Sequence, residues 1–166
     1  MQEVITVTPR AGRAALALMS HHKAVAEWVV FPDGPQGPLH KLVTSNQAFP
    51  EPTLRQWLLR VTDVAAALEQ RGYPPLDAEL HLDVGDDALP ENAGRYVLSL
   101  SDGRASVTRG GEGRIRLDVR ALAAIFAGFS HPSEMLAAGL LSAEPDDLAR
   151  LGAAFAGPSP FILDTF

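Results

Sequence analysis

Arg95-Tyr96-Val97-Leu98-Ser99-Leu100-Ser101-Asp102-Gly103-Arg104-Ala105-Ser106-Val107-Thr108-Arg109 reads as two short strands joined by a tight turn. Apolar and polar residues alternate on either side of Ser101-Asp102-Gly103, and an Asp-Gly pair accepts the positive φ angles that a hairpin turn needs. Working outward, Ala78 to Val84 is a third strand with the same alternation, and Arg114 to Val119 a fourth. Gly110-Gly111-Glu112-Gly113 forms a second, looser turn. Helices then follow. Arg120 to Ala127 is apolar at Leu122, Ile125 and Phe126, Pro132 opens a helix to Ala138, and Pro145 opens another to Phe155. Asp146 and Asp147 fall at the positive end of that last helix. Strands first and helices after predict an α+β fold, an antiparallel sheet with helices over one face.

Upstream, Asp63 is placed to cap a helix from Val64 to Arg71, which Gly72 ends, and Gln56 to Val61 reads as a strand. Before Asn46–Thr53, a stretch with two prolines and no periodicity, the pattern changes to strand, helix, strand, helix. The strands are Val4–Thr8 and Glu27–Phe31. The helices are Pro9 to about Ala24 and Leu39–Val43. Fifty residues make a thin core, so this part is expected to lean on another body. The predicted division is 1–52 and 53–166, with only the second part folding as a unit.

Composition excludes several classes. At 46% hydrophobic and 20% charged, the chain is globular. Zero cysteines remove disulfides and thiolate metal sites. The net charge of −6 argues against nucleic acid as a partner. No apolar run approaches the roughly 18 residues of a membrane span, and the first residues lack the pattern of a signal peptide. A cytoplasmic protein without membrane insertion is expected. Residues 1–50 carry four basic and three acidic residues, residues 51–166 ten and seventeen.

The end of the chain is unusual. Pro158-Ser159-Pro160-Phe161-Ile162-Leu163-Asp164-Thr165-Phe166 is mostly apolar, and the terminal carboxylate sits on a Phe. Docking such a tail regains roughly 25 cal/mol per Å² of apolar area. It either completes a core or holds a carboxylate in an apolar groove, where that group can act as a general base.

Three stretches resemble a known family. Trp57-Leu58-Leu59-Arg60-Val61-Thr62-Asp63-Val64-Ala65-Ala66-Ala67-Leu68-Glu69-Gln70-Arg71-Gly72-Tyr73-Pro74 resembles the opening of the C-terminal domain in Eis-type ("enhanced intracellular survival") N-acetyltransferases. Leu117–Gly128 and the closing Asp164-Thr165-Phe166 resemble two further stretches of that family. The resemblance implies a domain like sterol carrier protein 2 over residues 53–166. Residues 1–52 would then be the end of a second, non-catalytic GNAT domain plus a linker. It also implies a catalytic role for Phe166, whose α-carboxylate would accept a proton from an attacking amine. Asp164, Thr165 and Phe161 would bind substrate. In some relatives the penultimate residue is acidic and holds cationic substrates; here it is Thr165, with Asp164 before it.

A working GNAT domain cradles acetyl-CoA with a Gln/Arg-x-x-Gly-x-Gly/Ala turn at a helix start. Arg109–Gly113 has glycines in another register and lies between strands, and Gln36-Gly37-Pro38-Leu39 does not match. The family's general acid, a Tyr of the first GNAT domain, has no counterpart. The resemblance therefore implies acetyl-CoA for a parent enzyme but no cofactor bound by this chain. Its partners would be an N-terminal GNAT domain (in cis or on another chain), an amine substrate, and further copies in a homo-oligomer. The alternative is a free-standing module that binds lipid or another apolar ligand.

Other residues read as structural. His21-His22 is a solvent-facing pair, His81 a sheet-face residue, and His131 part of a turn. Asp83, Asp86 and Asp87 form a solvated turn, and Trp28 and Trp57 are core. Ser159 has no His–Asp partners for a hydrolase triad.

Overall fold

The computed structural model describes residues 4–34, 37–43 and 57–162. The chain divides into two compact units, Met1–Gln56 with Ser159–Phe166, and Trp57–Pro158. The tail thus groups with the first unit.

In the first unit, Thr8 caps helix α1 (Pro9–His21) by accepting a hydrogen bond from the Ala11 N–H, and Pro9 occupies its first turn. Helix α2 (Pro38–Leu42) packs against it, with Leu39 buried. Val4–Thr8 and Glu27–Phe31 are not strands. Their β-branched residues have the propensity, but propensity is local and a strand also needs a ladder that the fold must supply. Ile5, Val7, Val25, Trp28 and Val30 are all well exposed, so Trp28 is not core.

The second unit holds a five-stranded sheet in the order β3-β2-β1-β4-β5. Its strands are β1 (Ala78–Gly85), β2 (Gly94–Ser101), β3 (Arg104–Arg109), β4 (Ile115–Asp118) and β5 (Leu141–Ser142). Period-2 alternation turns Leu80, Leu82, Val84, Tyr96, Leu98 and Leu100 to one face, where all are buried. Helices α3 (Val64–Gln70), α4 (Val119–Phe126), α5 (Pro132–Ala137) and α6 (Pro145–Ala154) belong to the same unit. Val64, Leu68, Leu122, Ile125 and Leu151 join the strand residues in one core.

The hairpin forms as its sequence dictates, with positive φ at Asp102 and Gly103. Three pairings are antiparallel, but β1 and β4 run parallel, so the sheet is mixed. The reason lies in residues 110–114, which carry the chain from β3 across β2 and β1 to β4. That is about 14 Å, three interstrand spacings. The crossing lies on the face away from the buried leucines. A Cβ on Gly111 would fall 2.5 Å from Val97 Cγ2 and 2.8 Å from His81 Nδ1, so only glycine fits there.

Trp57–Val61 is not a strand either. Leu58 is fully exposed, Trp57 and Leu59 about half so, and only Val61 is buried. This exposure corrects the expectation that Trp57 is core.

Candidate functional site

Of the four residues that the sequence singles out, the structure describes Phe161; Asp164, Thr165 and Phe166 lie outside the described residues. The Phe161 ring lies against Gly34, where an added Cβ would meet Cδ1 at 2.9 Å and Cε1 at 3.0 Å. A bare backbone at position 34 is what lets the ring approach. More than half of Phe161 remains exposed.

Beside this contact sits the carboxylate of Asp33, which the sequence did not single out. Asp33 Oδ1 accepts a hydrogen bond from the Gly34 N–H at 2.8 Å. Its Oδ2 is buried without a hydrogen-bond partner among the described residues, and His40 Nε2 is 3.9 Å away. A Cβ on Gly37 would collide with the same carboxylate. The Gly37 N–H is already committed to the Gly34 carbonyl at 3.0 Å.

The root of the tail is a second cluster. Arg71, just past α3, donates from Nε to the Phe126 carbonyl at 3.1 Å and from Nη2 to the Phe155 carbonyl at 3.3 Å. Its Nη1 donates to the Gly72 carbonyl at 2.9 Å. One guanidinium therefore serves the C-terminal ends of both α4 and α6, where the helix dipole favours a cation. Its Cζ lies 4.9 Å from the Phe155 ring centroid and 5.1 Å from that of Tyr73. Burial lowers the Arg71 pKa, an effect that Tyr73 partly offsets. Burial pushes the Tyr73 hydroxyl up to about 12, against the pull of Arg71, so it stays a donor to the Leu68 carbonyl at 2.7 Å.

Where the chain enters this unit, a third cluster appears. Asp86 was expected in a solvated turn, yet it is buried. It accepts from Arg60 Nη2 at 2.6 Å, from the Ala88 and Leu89 N–H groups at 3.0 Å each, and from Asn92 Nδ2 at 3.2 Å. Burial opposes its charge, but these donors outweigh burial and hold the carboxyl at about 2. Asp86 is thus a structural hub that ties Arg60 and Asn92 to the backbone at 88–89.

The remaining histidines are structural. His21 and His22 are exposed at the end of α1, and no group among the described residues could hold a metal ion. His81 accepts from the Glu112 N–H at Nδ1 and lies 2.9 Å from Glu79 through Nε2. His131 caps α5 in a capping box with Glu134.

Residues 64–163 match the family described as the sterol carrier protein domain. The chain belongs to that family. It is also 36% identical over 133 residues to the N-acetyltransferase Eis of Mycobacterium tuberculosis, a match covering 76% of this chain and 31% of that protein. Among solved structures, a GCN5-related N-acetyltransferase from Anabaena variabilis gives a TM-score of 0.83 at 31% identity, over 98% of this chain and 42% of that one. The Eis protein of Mycobacterium abscessus gives 0.75 at 30% identity, over 99% and 42%. The likeness to Eis-type enzymes and the sterol-carrier-like domain read from the sequence are both borne out. The chain spans about a third of the length of the curated relatives it matches. No helix among the described residues is long and apolar enough to cross a membrane.

Proposed function

We propose that this chain is the C-terminal portion of an Eis-like amine N-acetyltransferase. In this reading a GNAT domain, in cis or on another chain, binds acetyl-CoA. This chain supplies one wall of the substrate pocket and the α-carboxylate of Phe166 as general base. The observation that carries the reading is the 36% identity with Eis over three quarters of the chain.

Acetyl-CoA supplies an activated acetyl thioester. The chain's own task is to take the proton that the amine sheds as it attacks. An α-carboxyl group starts near pKa ~3.5 and needs desolvation to be a useful base near neutrality. The apolar side chains of Phe161, Ile162, Leu163 and Phe166 are suited to provide it. The seating of Phe161 on Gly34 supports a docked tail. Asp164, Thr165 and Phe161 would face the substrate.

The exposed apolar residues of the first unit suit a surface that another domain covers. Leu18, Met19, Val25 and Val29 line an open groove there. A homo-oligomer of the complete enzyme and a cytoplasmic setting belong to the same reading. A lipid carrier would need open space between sheet and helices. Leu68, Leu80, Leu82, Leu98, Leu122 and Leu151, all nearly fully buried, occupy that region.

The test is calorimetry followed by assay. The chain alone should give no saturable heat with acetyl-CoA. Joined to an acetyl-CoA-binding GNAT domain, it should acetylate amines. Micromolar binding by the chain alone would overturn the division of labour.

A further inference from the structure

The chain leaves the sheet domain through Phe155–Pro158, and two residues far apart in sequence lie against that exit. Arg71 holds its beginning through the Phe155 carbonyl, with the Phe155 ring stacked on the guanidinium. The Phe155 ring also meets the Tyr73 ring edge-on at 5.7 Å. Gly128 backs its end closely. This residue follows α4 with φ of +74°, and a Cβ there would lie 3.2 Å from the Pro158 carbonyl oxygen. Arg71 also binds the Phe126 carbonyl, two residues before Gly128. One guanidinium thus ties the strand of chain that leaves α6 to the turn that backs it.

We infer that Arg71 and Gly128 form a clamp that fixes where and in which direction the C-terminal tail leaves the sheet domain, making both positioning residues for the tail. The inference rests on the reading that the tail carries the reacting carboxylate. A carboxylate eleven residues beyond Phe155 can be held in register only if its starting point is fixed, and a displacement of about 1 Å can cost on the order of 10²-fold in rate. Lysine in place of Arg71 would keep the charge but lose the planar fork that reaches two helix ends at once.

The chain has no cysteine, so Ser159→Cys gives a single exposed site for a nitroxide label. Its spectrum should show slow motion in the otherwise native chain. Arg71→Gln, Arg71→Lys and Gly128→Ala should each shift it toward fast motion, at temperatures where circular dichroism shows the domain folded. Should Arg71→Gln not fold, Arg71→Lys carries the test. Lowered melting temperatures with an unchanged label spectrum would overturn the clamp, as would a shift in the Arg71 variants alone. In the form joined to its GNAT domain, the clamp variants should lower kcat with little change in KM. A loosened label with kcat untouched would keep the clamp and refute the tail carboxylate as base.

Discussion

Asn92 should be among the most sensitive positions of the sheet domain. It is buried, accepts from the Val64 N–H at 3.3 Å, and donates to the Val61 carbonyl at 3.2 Å and to Asp86. It thereby fastens the incoming segment Trp57–Val61 to the start of α3. Asn92→Ala leaves a buried N–H and a buried carbonyl unpaired, at about 1–3 kcal/mol each. Partial entry of water brings the expected loss to about 2–4 kcal/mol. For a unit of roughly 100 residues, that lowers the melting temperature by about 10–25 °C. Urea unfolding followed by circular dichroism measures the loss, and hydrogen exchange at Val64 locates it. Asn92→Asp keeps the acceptor for Val64 but sets a second carboxylate against Asp86. It should be worse than alanine at neutral pH and recover as the pH falls. A change below about 0.5 kcal/mol for Asn92→Ala, the range of ordinary surface substitutions, would refute the reasoning.

Two pH dependences follow from buried groups. The Asp86 carboxyl, at about 2 in the folded chain, lies below its unfolded value of ~3.9. Its contribution to stability is complete above the unfolded value and is lost as pH falls toward the folded one. Asp86→Asn should lower stability at neutral pH and flatten the acid limb of the unfolding curve between those values; an unchanged acid limb would count against the hub. Tyr73, raised to about 12, shifts the other way. Its contribution holds below the ordinary value of ~10 and is lost as pH climbs toward the folded one. Alkaline absorbance titration of Tyr96→Phe, which leaves Tyr73 as the only tyrosine, should show its ionisation delayed until the chain unfolds. Ionisation at the ordinary value in the folded chain would contradict the burial.

Much of the sheet domain was legible because local chemistry decided it. The alternation of Leu80, Leu82 and Val84, the Asp102-Gly103 turn, the Asp63 cap and the Pro132 and Pro145 helix starts all appear as read. The parallel pairing of β1 with β4 was not legible, since a period of two gives the same pattern in either direction. Strand β5, at two residues, is too short to leave a pattern. Trp57–Val61 and Val4–Thr8 look like strands because β propensity is local, whereas a ladder partner is supplied by the fold. At the candidate site, the apolar tail was plain in the sequence. The supports of that tail were not. Arg71 meets carbonyls 55 and 84 residues away, and nothing in its neighbourhood announces them. The burial of Asp86 had one signal, an Asp two and three residues before the N–H groups that bind it, which is the spacing of an Asx turn.

The central claim is that the terminal carboxylate, and not merely the ring of Phe166, does chemistry. The most direct measurement compares amine acetylation by the GNAT-joined form in three versions: unchanged, lacking Phe166, and carrying one extra Gly after Phe166. The extra Gly moves the carboxylate and keeps the ring. A general base is typically worth about 10²–10⁴-fold, so both altered forms should lose activity on that scale, while stability should fall mainly in the form without the ring. If the Gly-extended form keeps nearly full activity, the tail is packing alone and the carboxylate is not the base.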